Sequence, residues 1–223
     1  MYRGIMFNAY LGYIKKVDGI RNTVQFDKTD QYLSPEMYKN PEKRLFVNSS
    51  LSKKIKNINY RLGLKYSKSD FLQSVDDQYY TNRNTTYGFD FSAKTLFDNF
   101  PVIEIGLKQS IGDYKSGENS SKFTTLEPFL NIDYDFLKHY LFAFDYRNHH
   151  YKNEKTNTKD RYEMANVSLV YKNEESPCSL KIEVQNLFNM KYKRSQSFSS
   201  FVISDTSIHV LPRIAMLSIG YQL

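Results

Sequence analysis

The 223-residue chain carries 31 Lys+Arg against 24 Asp+Glu, a formal net charge of +7, and the bases are scattered through every polar segment. That scatter points to a solvated, mildly basic surface and not to a nucleic-acid interface, which gathers its bases into a patch or stripe. Tyr and Phe number 19 and 16, Trp is absent and Cys178 is the single cysteine. An internal disulfide and a cysteine metal cluster are thereby excluded, and many aromatics on a polar chain suit strands that wet one face. No apolar run approaches the roughly 18 residues of a membrane-crossing helix. A helical membrane protein is therefore excluded, but a β-barrel is not, because its signal is spread over short alternating segments.

In chain order, the first pattern sets Phe7, Ala9, Leu11 and Tyr13 against Asn8, Tyr10 and Gly12, since successive strand residues point to opposite faces. The strand is expected to run on through a polar part, Arg21 to Phe26, and to reverse at Asp27-Lys28-Thr29-Asp30. The return passes Pro35 and Pro41, which suit an edge-like portion, before Leu45, Val47 and Leu51 mark the next strand. Tyr60, Leu62, Leu64 and Tyr66 then oppose Asn59, Arg61, Gly63 and Lys65, and Tyr87, Phe89, Phe91 and Ala93 oppose Gly88, Asp90, Ser92 and Lys94. Ile103, Ile105 and Leu107 follow against Glu104, Gly106 and Lys108; Leu130, Ile132, Tyr134 and Phe136 against Asn131, Asp133 and Asp135. Tyr140, Phe142, Phe144 and Tyr146 face away from Asp145 and Arg147, and Ala165, Val167, Leu169 and Tyr171 away from Asn166, Ser168 and Lys172.

Two regularities bind these segments. Connections alternate between tight turns (near Asn57, Asp98, Lys138 and Glu175) and stretches expected to be long polar loops (near Asp77, Gly117, Glu154 and Gln196). Up-and-down transmembrane barrels have that asymmetry, and they carry aromatic girdles where these apolar rows end in Tyr or Phe. A propeller blade would fit four short strands into the hairpin period of about forty residues, whereas the pattern here supports two long ones. A soluble β-sandwich predicts the same alternation. The opposing rows of Gly, Ser, Asn, Asp, Lys and Arg on long strands favour a wet lumen over a sandwich.

The last segment is the most ordered. Leu180, Ile182 and Val184 alternate with Lys181, Glu183 and Gln185, and run into Asn186-Leu187-Phe188-Asn189 and Tyr192. After a polar stretch from Arg194 to Ser200, the chain re-enters through Val210-Leu211-Pro212-Arg213 and ends on Ala215, Leu217, Ile219, Tyr221 and Leu223 against Met216, Ser218, Gly220 and Gln222. Asn-Leu-Phe-Asn with Tyr192, then Pro212-Arg213 and an alternating terminal strand, resembles the last hairpin of TonB-dependent outer-membrane receptors, most of all the Bacteroidetes-type barrels. The resemblance implies that Asn186, Leu187, Phe188, Asn189, Tyr192, Pro212 and Arg213 are hallmarks of barrel structure. It also implies that Leu217, Ile219, Tyr221 and Leu223 form the signal read by the barrel assembly machinery, with Leu223 standing where Phe is usual.

Candidate chemistry is sparse. His149-His150 is the one histidine concentration, and neighbours on a strand point apart, so the two cannot readily share a metal. No Gly-x-Ser-x-Gly elbow accompanies them, and a solvated loop-proximal pair is preferred to a rim hydrolase. Inward carboxylates (Glu104, Asp133, Asp135, Asp145, Glu183) and bases (Arg61, Lys65, Lys94, Lys108, Arg147, Lys181) are mixed in sign, which cross-strand pairing explains. They could equally line a path for polar solute or brace a plug. No catalytic residue, cofactor or metal is expected.

The fold expected is all-β: an antiparallel up-and-down transmembrane β-barrel of about ten long strands, forming the C-terminal part of a larger barrel of about 22 strands. Residues 1–223 would be one barrel domain without plug or export signal, since Met1-Tyr2-Arg3-Gly4-Ile5 leads straight into strand pattern. The resemblance implies energised uptake of a scarce nutrient (siderophore, glycan or similar) in the outer membrane of a Gram-negative bacterium. Its partners would be outer-membrane lipid, the assembly machinery, and TonB only through parts outside this segment. The alternatives are a self-contained ten-stranded barrel, as passive pore or rim-active hydrolase, and a soluble β-rich surface-binding protein. For the larger barrel, the strand near Phe7 to Tyr13 and the strand Arg213 to Leu223 should be partnerless edges.

Overall fold

The computed structural model describes residues 4–27, 30–39, 41–173, 176–198 and 203–221, which contain no helix. Strands β1 (Ile5–Lys16), β2 (Gly19–Asp27), β3 (Asp30–Tyr38), β4 (Glu42–Ile55), β5 (Ile58–Val75), β6 (Gln78–Thr95) and β7 (Val102–Ser116) form the first half. Strands β8 (Asn119–Phe136), β9 (Tyr140–Asn153), β10 (Thr158–Lys172), β11 (Cys178–Gln185), β12 (Tyr192–Phe198), β13 (Ile203–His209) and β14 (Ile214–Tyr221) complete it. One antiparallel path runs β1-β4-β5-β6-β7-β8-β9-β10-β11-β14. Two hairpins leave this path. β2–β3 touches the main sheet at a parallel bridge between Val24 and Val75, and β12–β13 is a separate two-stranded sheet.

The register explains why these residues make one sheet. Leu51 lies opposite Phe7 and Leu62, Leu64 opposite Phe89, and Phe91 opposite Leu107. Ile105 then opposes Leu130, Ile132 opposes Phe144, Phe144 opposes Val167, and Ile182 opposes both Leu169 and Leu217. Every alternating row therefore merges with its neighbours into one apolar face across ten strands, and a one-residue slip anywhere would break it. Most of this face is uncovered among the described residues: Leu64 is 49% exposed, Ile105 60% and Leu217 64%, and only around Ala165, beside Leu187 and Phe188, is it buried. Among the described residues the only buried hydrophobic side chains are Val24, Tyr114 and Ala165. The described residues form no second layer and no sandwich core.

The sheet curls toward its polar face. Ile14 and Arg44 of the first strands and Glu127 and His149 of β8 and β9 line one cavity of about 670 Å³. Asn82, Ser116, Ser121 and Asn153, on that face at the far end of the long strands, are buried by the curl. Phe rings lie flat against this wall over glycines of the adjacent strand. A Cβ on Gly12 would overlap the Phe46 ring, and one on Gly112 the Phe123 ring, so glycine is required for the close approach. Among the described residues the curl does not close: β1 pairs with β4 alone, and β14 with β11 alone.

The long loops expected near Asp77, Gly117 and Glu154 are not loops. β5 and β6 continue as an unbroken ladder to a two-residue turn, Asp76-Asp77, both at positive φ (47° and 61°), as a tight hairpin twist demands. β7 and β8 likewise meet at Gly117-Glu118, and β9 and β10 at residues 154–157. Polar sequence alone suggests loop. A strand paired on both sides needs only backbone partners, however, and pairs such as Arg83 with Asp70 (2.9 Å) add side-chain support. The stretch from Arg194 is likewise strand through Phe198, in the β12–β13 hairpin. The first strand does not run on to Phe26. It bends at Val17-Asp18, and β2 takes β4's side of β5 above Asp70, burying Val24. Pro35 lies in β3, whose outer side has no strand partner, as its missing N–H requires.

Candidate functional site

Behind the apolar rows, the concave face carries a set of ionisable residues. Its centre is Glu127 on β8, with Lys108 Nζ at 4.0 Å, Arg147 Nη1 at 3.9 Å and His149 Nδ1 at 3.6 Å. Register builds the cluster: Lys108 lies directly opposite Glu127, and Arg147 and His149 share a face on the next strand. Arg147 also reaches Asp145 at 3.3 Å, and Lys108 lies over the Phe129 ring at 5.1 Å. The His149 ring stacks on Tyr162 at 4.6 Å between centroids. Burial, helped by the Glu127 and Asp160 carboxylates, pushes the Tyr162 hydroxyl above its ordinary pKa; this residue lies beyond the end of the apolar row. The β8–β9 ladder lapses at Glu127 and Pro128, resuming at Leu126–His150 and Phe129–Arg147, because proline has no N–H to give.

Glu127 escaped the sequence reading, which began this strand only at Leu130. The signal was present: Thr125, Glu127, Phe129 and Asn131 hold the same period, and Pro128 disguised it.

A second group lies closer to the opposite end, where Lys94, Glu104, Asp133, Asp145 and Glu183 line a cleft of about 250 Å³. Lys94 is directly across from Glu104. Lys181 pairs with Glu183 two residues along its own strand, at 2.5 Å. The mixed charges thus pair partly across strands and partly along them, and most remain wet, which makes each pair weak.

The two histidines separate as alternation requires. His149 faces the cavity and His150 the outer side, across from Arg161. His149 Nδ1 is buried without a hydrogen-bond partner. No group of three metal-ligating side chains occurs among the described residues.

The terminal motif forms a clasp at the end of β11. Asn186 turns the chain at φ 51° and is 3% exposed. Its Nδ2 donates to the carbonyls of Met190 and Leu211, both at 2.8 Å, and its Oδ1 accepts from Met190 N at 2.8 Å. Asn166 Oδ1 accepts from Asn186 N at 3.0 Å. Leu187 N donates to Ala165 O at 2.8 Å, and the Phe188 ring meets Tyr146 edge-on at 6.0 Å. Asn189, also at positive φ (54°), accepts from Arg213 N at 3.1 Å. The two asparagines therefore tie the end of β11 to the chain entering β14, twenty-five residues later in the case of Leu211. Tyr192 begins β12 opposite His209, and Pro212 is exposed in the lead into β14. Leu217, Ile219 and Tyr221 stand on the uncovered apolar face of β14; Leu223 lies outside the described residues. No protein-family model matches the chain, and no curated protein is significantly similar to it.

Proposed function

We propose that this chain is a wall segment of an outer-membrane β-barrel of the TonB-dependent receptor type, serving energised uptake of a scarce nutrient such as a siderophore or glycan. The observation that carries the reading is the uncovered apolar face merging all ten strands of the path, backed by a wet, charged concave face. In water such a face is an aggregation surface; in hydrocarbon it is an ordinary lipid boundary. On β7 the outward row runs from Ile103 to Ile111, apolar but for Gln109, about 27 Å along the strand. A barrel tilt of about 40° makes that about 20 Å, near the ~25 Å band of such walls. The other end bears rings in a chain, Phe136 on Tyr140 (5.3 Å) and Tyr140 on Tyr171 (5.1 Å), as an interfacial girdle would.

The free sides of β1 and β14 support a larger barrel over a self-contained one, because lipid tolerates no unpaired strand edge. Further strands of the same protein would occupy both edges, and the concave charges would face the solute path or whatever fills it. Catalysis forms no part of this reading. Spin labels at successive β5 positions test the wall. In the whole protein reconstituted in bilayers, labels at Leu62 and Leu64 should be relaxed by oxygen, and labels at Gly63 and Lys65 by a water-soluble nickel chelate. Uniform accessibility along β5 would sink the wall. Loss of growth on one limiting nutrient after gene disruption, reproduced by collapsing the inner-membrane proton gradient, tests transport; growth indifferent to both would refute it.

A further inference from the structure

Beyond the apolar row the strands continue, and their outward face there is strongly basic. On β1 and β4–β10 it carries nine bases against three carboxylates. Five of the bases have acidic neighbours. Lys68 and Arg83 share Asp70 (4.0 and 2.9 Å), Lys115 meets Asp113 (3.8 Å), and Arg161 meets Glu163 (2.6 Å). Lys122 reaches Glu154 of the adjacent turn at 3.7 Å.

The other four are arranged against each other. Lys15 lies directly opposite Lys43, and Lys152 directly opposite Lys159, with no described carboxylate in ion-pair distance of any of them. Like charges directly opposed on one face of a sheet destabilise it. The outward face at the other end of the strands has no such charge; Lys53 is its one cation among the described strand residues.

We propose that this outward basic collar is a docking surface for phosphate-bearing lipid headgroups, an inference that rests on the sheet being a membrane wall. Two observations select that occupant. The collar borders the apolar face directly, so a ligand satisfying both must join an anionic head to an apolar tail. The opposed lysine pairs each leave a double positive charge that one phosphate, accepting from both ammonium groups, offsets in part. A soluble anion would use only the second feature, and a nucleic acid would gain nothing from the apolar border.

The test uses the whole protein in neutral maltoside micelles, titrated with phosphatidylglycerol or phosphatidylcholine, with retained lipid counted by native mass spectrometry. Phosphatidylglycerol should be retained at least about tenfold better at low ionic strength, and the preference should fade as salt screens the collar. K152Q/K159Q should lose most of that preference, with K15Q/K43Q as an independent second variant. K94Q/K181Q, which removes the same charge from the concave face, should keep it. Equal retention of the two lipids, or equal loss in collar and concave variants, overturns the proposal. Circular dichroism and light scattering before lipid addition separate the two levels. A whole protein that is not strand-rich and monodisperse in the micelles sinks the wall and the collar with it. A well-folded chain indifferent to headgroup sinks the collar alone.

Discussion

Replacing Asn186 by Ala removes three side-chain hydrogen bonds at a residue 3% exposed, to Met190 O, Leu211 O and Met190 N. At about 1 kcal/mol net each, their loss costs about 3 kcal/mol. Holding a β-carbon-bearing residue other than Asn in the left-handed region adds about 1 kcal/mol, so Asn186→Ala should cost about 4 kcal/mol in all. Asn186→Gly removes the bonds without the conformational term and should cost about 3 kcal/mol. Asn186→Asp keeps the acceptor for Met190 N but turns a buried carboxylate oxygen onto the Met190 and Leu211 carbonyls, and should cost more than Gly. The damage is local, because the bonds fasten the entry of β14 and leave the β5–β8 ladders untouched. Hydrogen exchange in detergent, read by mass spectrometry over Ile214–Tyr221, should accelerate by about a hundredfold or more in Asn186→Ala, with peptides from β6 and β7 unchanged. Exchange over β14 within twofold of wild type in Asn186→Ala would refute the clasp. Equal effects of Ala and Gly would refute the conformational part alone.

Leu64→Arg, on the uncovered apolar face, should cost roughly 2–4 kcal/mol in a bilayer near its midplane, whereas Lys65→Ser on the concave side should cost far less; denaturant unfolding of the reconstituted protein compares them. Gly112→Val drives a side chain into the Phe123 ring and should destabilise by about 1–3 kcal/mol, and the same melt should show Phe123→Ala relieving part of the loss. His149→Ala and His150→Ala should leave background rates on ester and peptide substrates unchanged, since His149 Nδ1 meets a carboxylate at 3.6 Å and no hydroxyl. A turnover that vanishes in either variant would establish the hydrolase instead.

The apolar face was legible because period two is a local property: Tyr60 to Tyr66 and Phe142 to Phe144 declare their side without reference to any partner. The separation of His149 from His150 follows from the same rule. Strand ends were not legible in that way. Ser67 to Val75 and Gln78 to Thr86 look like loop when polarity alone is weighed, yet backbone ladder bonds are indifferent to side-chain polarity, and β5 and β6 pair to their last residues. Glu127 was hidden by Pro128, a residue that forbids one ladder bond but not a strand. The resemblance marked Asn186 and Asn189 without a reason for them. That reason is long-range, a contact with residues near Arg213 that the sequence leaves more than twenty positions away.

The shared register has a consequence for how such a wall can change over evolutionary time. Any apolar residue can replace another on Leu64, Phe91 or Ile182 without disturbing its neighbours, because the face is uncovered and asks for no interlocking shape. A single inserted or deleted residue inside β4 to β10 is different in kind. It inverts every side chain from that point to the next turn, sending Lys65 or Arg147 outward and Leu62 or Phe144 inward. Composition along the strands is therefore free to drift while their length is fixed. Changes of length are confined to sites such as Asp76-Asp77 and Gly117-Glu118, and to the β2–β3 and β12–β13 hairpins, where no apolar row has to stay in step.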